Sequence, residues 1–161
     1  MATTTYSTLG TLLAPFSRKA ASTLRNAETQ KEDRAVALTA DTGTSDVSLY
    51  YSDGPSYVLG IDFVPDIAIA SSATEKVVLG FFNAGTDGLG TTSIGTYSTY
   101  ASDSSTINAA LVQYVKKAVY APTNPLYCAA NTVLRVDVDV TTGSSIELRG
   151  KFSVRYVPIV Q

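Results

Sequence analysis

Near the C-terminus, Leu134, Val136, Val138 and Val140 alternate with Arg135, Asp137 and Asp139. A strict period of two marks a strand with one buried and one wet face. After the turn "TTGSS" the pattern resumes, with Ile146, Leu148, Phe152, Val154 and Tyr156 on one face and Glu147, Arg149, Lys151 and Arg155 on the other. No helix reads this way, so these segments fix the chain as β. Read locally they predict a hairpin with a charged outer face. Asp139 would pair with Arg149 and Asp137 with Lys151, a register that keeps Asp139 away from Glu147. Cross-strand pairing is a sufficient reason for the two aspartates, and it outweighs a metal-binding or acid–base role.

The same texture continues upstream. "AVALTA", "VSLYY", "YVLGIDFVPDIAIA" and "KVVLGFFNA" are short apolar runs broken by turn residues, the spacing of an antiparallel sandwich or barrel. Asp53-Gly54 is a hairpin turn signal with Pro55 stopping any ladder through it, and Pro65 marks a strand end or edge. One helix is expected in "DSSTINAALVQYVKKAVYAPTNP". Asp103 or Ser104 would cap it, Ile107, Ala110, Leu111, Tyr114, Ala118 and Val119 would form its apolar face, and Pro122 would end it. The β-branched residues of "VQYVKKAVY" leave a strand as the alternative there.

Composition removes whole classes of function. The chain has 161 residues, 16% of them charged, with a formal net charge of -2. One domain of this size buries roughly two thirds of the surface its unfolded chain exposes. The net charge argues against nucleic acid, which needs a clustered basic face. There is no histidine, hence no Ser-His-Asp or Cys-His triad and no imidazole ligand. The single cysteine, Cys128, cannot form an internal disulfide and reads as a small buried hydrophobe. Carboxylate-only hydrolysis and oxygen-ligated Ca²⁺ or Mg²⁺ survive this test. No run approaches the ~18 apolar residues of a membrane span. No cofactor is expected. The glycine-rich "NAGTDGLGTTSIG" has no lysine after its glycines and no helix start, so it fails as a P-loop. Asp87 within it, or Asp103, is at most a weak Ca²⁺ ligand.

The N-terminus differs in kind. "MATTTYSTLGTLLAPFS" has no charge, and Arg18, Lys19 and Arg25 precede the first acid, Glu28. Such a leader shares the composition of a transit peptide, while basic residues placed after the apolar stretch disfavour a secretory signal. We read residues 1–34 as an extended arm with a charged linker, "TLRNAETQKEDR", which is expected to be a short helix. Residues 35–161 are the β body. Leu9, Leu12, Leu13 and Phe16 are the candidate anchors of the arm on a neighbour, with folding back on its own domain as the alternative. The chain uses ten tyrosines and no tryptophan. "GTYSTYASDSS" sets Tyr97 and Tyr100 among small polar residues, the composition of an adaptable recognition loop.

An arm such as "MATTTYSTLGTLLAPF" ahead of a compact, turn-rich β body resembles, in layout, bacteriophage head decoration (cement) proteins and other small virion coat proteins. That resemblance implies a non-enzymatic subunit. It also implies homo-oligomers, trimers above all, seated on the major capsid protein of a virion assembled in the host cytoplasm. It implies no contact with nucleic acid or membrane. The expected fold is all-β, a jelly-roll-like antiparallel sandwich or barrel with one helix and the arm. A carbohydrate-binding β-sandwich using Tyr97 and Tyr100 is the alternative, then a coat protein that forms the shell itself. A glycosidase is third in kind and would need two carboxylates converging in a cleft.

Overall fold

The structure, a computed structural model, describes residues 29–38, 44–72, 76–100, 107–108, 110–140 and 146–159. They form ten strands and no helix: β1 Gln30–Leu38, β2 Thr44–Tyr51, β3 Ser56–Pro65, β4 Val77–Asn83, β5 Thr92–Ser98, β6 Ile107–Asn108, β7 Lys117–Tyr120, β8 Leu126–Cys128, β9 Val133–Val140 and β10 Leu148–Pro158. Two sheets stack face to face. The first runs β1-β10-β3-β7, with β8 also beside β3, and the second runs β2-β9-β4-β5-β6. Every pairing is antiparallel except β5 with β6. If β7 and β8 count as one interrupted strand and the two-residue β6 is set aside, this is the strand order of a jelly roll.

The core lies between the sheets. Leu134, Val136, Val138 and Val140 of β9 face Leu148, Phe152 and Val154 of β10 across it, joined by Leu79 and Phe81 of β4 and Ile61 and Phe63 of β3. Phe63 and Phe152 meet with ring centroids 4.5 Å apart. The expected inner faces of β9 and β10 are therefore the buried ones, but the expected hairpin between them is corrected. β9 lies between β2 and β4, while β10 lies between β1 and β3 in the other sheet. Alternation along a strand tells which side is buried; it carries no information about which strand lies alongside. The chain likewise passes between sheets at Asp53-Gly54, which makes a turn but no hairpin ladder. Pro65 does close β3.

The expected helix is also corrected. Residues 110–116 form an isolated bridge and a turn that lead into β7. The Leu111 N–H donates to Ile69 O and the Tyr114 N–H to Pro65 O, so these amides are spent on another strand rather than on carbonyls one helical turn back. Tyr114 has φ of 58°, a left-handed conformation that no helix interior contains. The turn exposes Val112, Tyr114 and Val115. Residues 30–34, read from sequence as the end of a charged linker, are the first half of β1 and pair with Tyr156 through Phe152 of β10. Leu9, Leu12, Leu13 and Phe16 lie outside the described residues.

Candidate functional site

Charged side chains cluster on the two outer faces of the sandwich, and the ladders decide which of them meet. On the first sheet, Asp33 of β1 is opposite Ser153 of β10, which is opposite Asp62 of β3. Lys151 Nζ lies 2.6 Å from one Asp33 oxygen, and the Ser153 hydroxyl donates to the other. These two contacts hold the Asp33 carboxyl below its ordinary range. Arg155 Nε donates to Asp62 Oδ2 at 3.0 Å, and Lys116 Nζ lies 3.7 Å from the same oxygen. Asp62 is only 3% exposed although it is on an outer face, because these two cations cover it. Gly60 makes the cover possible. A Cβ there would stand 2.7 Å from Arg155 Nη2, so only glycine lets the guanidinium lie flat over the strand.

On the second sheet the arrangement inverts. Asp46 of β2 is directly opposite Asp137 of β9, and a single cation, Arg135, serves both. Its Nη1 lies 3.4 Å from Asp46 Oδ2 and its Nε 3.1 Å from Asp137 Oδ1. The second contact is one of charge, without hydrogen-bond alignment. Burial and then the facing Asp46 push the Asp137 carboxyl up, against the pull of Arg135. The Arg135 guanidinium also lies 5.5 Å from the centre of the Phe82 ring, a cation–π contact. That ring folds back over Gly80, where a Cβ would meet it at 2.9 Å. The ion pairs expected from sequence are corrected accordingly: Asp137 pairs with Arg135 instead of Lys151, Lys151 pairs with Asp33, and Asp139 is exposed on the far sheet from Arg149.

One end of the sandwich carries a tyrosine cluster. Tyr50 and Tyr156 meet at a tilt of 46°, with ring centroids 4.7 Å apart. Tyr50 Oη shares a hydrogen bond with Ser56 Oγ at 2.8 Å, and Tyr156 Oη donates to Gln30 Oε1 at 2.9 Å. With Tyr51, Asp53 and Pro158 they line a cavity of about 160 Å³. Tyr51 Oη donates to Asn131 Oδ1 at 2.8 Å, which ties the β2 end to the loop before β9. Burial, followed by Tyr50, Glu32 and Asp53 in turn, pushes the Tyr156 hydroxyl up.

The two tyrosines picked out from sequence are not brought together on a surface. Tyr97 faces inward from β5 and is fully buried, its hydroxyl pushed up to about 12 by burial. Tyr100 is half-buried with Lys76 Nζ 4.9 Å from its ring centre. Asp87 Oδ1 accepts from the Leu89 N–H and so shapes its own turn. Cys128 is buried, its thiol pushed up to about 11. Among the described residues, no three His, Cys, Asp or Glu side chains converge as a metal site. Reading strand by strand missed the Tyr50–Tyr156 pair. The available signal was that both tyrosines end apolar alternations beside turn residues.

No family model matches the chain, and no curated protein matches it. Solved structures with a similar chain course include a chain of the cyanophage Pam1 capsid asymmetric unit, 15% identical over 82% of this chain and 86% of that one at a TM-score of 0.41. The VP2 subviral particle of infectious bursal disease virus is 10% identical over 83% and 33% of the two chains, also at 0.41. A subunit of the disulfide-linked pili of Bacillus endospore appendages is 10% identical over 84% and 92% at 0.32. This chain thus spans about a third of the length of the bursal disease virus chain. The structural similarity to capsid proteins is distant, and at these TM-scores it carries no argument about what the chain does.

Proposed function

We propose that the chain is a non-enzymatic structural subunit of a virion, of the decoration or cement kind, which self-associates and binds the major capsid protein on the outer shell. The observation that supports this reading is the jelly-roll strand order, an architecture used by viral capsid domains. The placement of the charged side chains is compatible with it: Asp33, Asp46 and Asp62 are engaged in cross-strand ion pairs and Asp137 in one along its own strand. In this reading the arm anchors Leu9, Leu12, Leu13 and Phe16 bind a neighbour, and the favoured assembly is a homotrimer. The test is sedimentation equilibrium on the full chain and on a chain lacking residues 1–28, cut ahead of β1 so that the sheet stays whole. A discrete oligomer from the full chain and a folded monomer from the truncated one are expected. Closed shells under the electron microscope would favour a small coat protein instead, and monomers from both chains would overturn the reading.

The tyrosine-lined cavity favours a second reading, a carbohydrate-binding module. About 160 Å³ is below the roughly 300–1,000 Å³ of drug-sized sites, so it takes one sugar ring at most, stacked on Tyr51 or Tyr156. Glycan binding that is lost on Tyr51→Ala would support this reading in place of the first.

A further inference from the structure

The outer faces of the two sheets carry opposite charge. On the first, Lys31, Arg149, Lys151, Arg155 and Lys116 stand against Asp33 and Asp62. Even with Glu147 at the approach to β10 and Asp66 beside Arg149 just past β3 added, the cations are in excess, five to four. Both strand carboxylates are already engaged, Asp33 by Lys151 and Asp62 by Arg155 and Lys116. Lys31 and Arg149 remain exposed, with no ion-pair partner among the described residues. On the second face Asp46, Asp137 and Asp139 stand against Arg135, with Lys76 at the margin. Arg135 is divided between Asp46 and Asp137, which leaves Asp139 exposed and without an ion-pair partner among the described residues. The surroundings are low. Ala35, Ala37 and Ala118 flank the cations, and Ser48 flanks the Arg135 cluster, so a flat partner can approach either face.

We propose that the basic face of the β1-β10-β3 sheet of one copy seats on the acidic face of the β2-β9-β4 sheet of a second copy. The partner is a second copy because the same molecule presents both complementary surfaces, and complementary potentials both steer the encounter and fix its orientation. The contact gives the proposed subunit its assembly geometry and rests on that reading. A contact between unlike faces is heterologous: each molecule uses one face for each neighbour, and the copies run head to tail, closing into a ring or continuing as a stack.

The experiment is sedimentation velocity on the full chain at low and high NaCl, with two double variants checked for folding by circular dichroism. Lys31→Glu with Arg149→Glu turns the basic face acidic, and Asp46→Lys with Asp139→Lys turns the acidic face basic. The wild type is expected to associate at low salt, with the dissociation constant rising roughly tenfold or more as salt screens the contact. Each variant alone should lose the salt-sensitive association and sediment no larger than the arm-held oligomer, and an equimolar mixture should regain it, because each then offers what the other lacks. If a double variant fails to fold, Asp139→Lys alone, at an exposed position without an ion-pair partner, replaces the acidic-face variant, and Arg149→Glu alone replaces the basic-face variant. Association that is insensitive to salt and retained by both variants would overturn this contact and leave the subunit reading standing. A wild type that stays monomeric at every salt and concentration would overturn both.

Discussion

The two outer faces start from the same local pattern, a charged residue at every second position of a strand, and end in opposite electrostatic states. On the β1-β10-β3 face each carboxylate has its own cation, and Asp33 is held below its ordinary range as a result. On the β2-β9-β4 face two carboxylates stand opposite each other and share one guanidinium, and Asp137 is pushed up, by burial first and then by Asp46. The number of charges per strand does not separate the two cases. The cross-strand neighbour does, because directly opposed like charges destabilise a ladder and opposed unlike charges support it.

The most severe way to break this contrast is to remove the carboxylate that the matched face buries. Asp62→Ala leaves Arg155 and Lys116 without their anion. Loss of one partner from a fully buried pair costs ~3–5 kcal/mol, and the partial exposure of both cations brings the expected cost to about 2–3 kcal/mol. Thermal denaturation should register this as a fall in Tm of roughly 4–12 °C. Arg135→Ala comes next. It frees the repulsion between Asp46 and Asp137 and discards the contact with Phe82, at an expected cost of about 1–2 kcal/mol by urea denaturation.

Asp137→Asn should act in the other direction. The folded pKa of Asp137 lies above the ordinary value, so its ionised form works against the fold at neutral pH, and that handicap disappears as pH falls through the folded pKa. The variant should therefore gain about 0.2–1 kcal/mol at pH 7, and the gain should shrink toward pH 4. A loss at pH 7 would mean that the ion pair with Arg135 outweighs the repulsion from Asp46. Asp33→Asn supplies the mirror case and the smallest effect. With a folded pKa below the ordinary value, Asp33 stabilises the fold above its unfolded pKa, and that contribution is lost as pH falls through the folded value. A cost of a few tenths of a kcal/mol at pH 7 is expected, fading below roughly pH 4.

What was legible in the sequence was facing; neighbours were not. The alternation from Leu134 to Val140 and from Leu148 to Val154 assigns the buried side correctly because facing is a property of one strand at a time. Pairing Asp137 with Lys151 failed because it required the next strand in the chain to be the next strand in the sheet. The segment around Tyr114 shows periodic apolar residues, and its β-branched Val112 and Val115 were the counter-signal, but the deciding partners were Pro65 and Ile69, far away in sequence. Tyr97 looked like a loop residue among serines and threonines. In the structure its neighbours are strand positions, and its ring closes the core opposite Leu79. The Tyr50–Tyr156 ring contact joins residues over a hundred positions apart, beyond any local reading.

The β1–β10 ladder, Gln30 with Tyr156 through Leu38 with Leu148, also constrains when the molecule can fold. β10 is the central strand of its sheet, flanked by β1 and β3, and it is made after both of them during synthesis. β1 lacks its sheet partner, and β3 lacks one of its two neighbours, until β10 is made, and closing so long a loop is entropically slow. Folding is thus expected to be unhurried, on the millisecond-to-second scale of β-sandwiches. A nascent chain stalled before Leu148 would leave β1 without its partner and the β10 side of β3 bare, so the sheet closes only once β10 is in place.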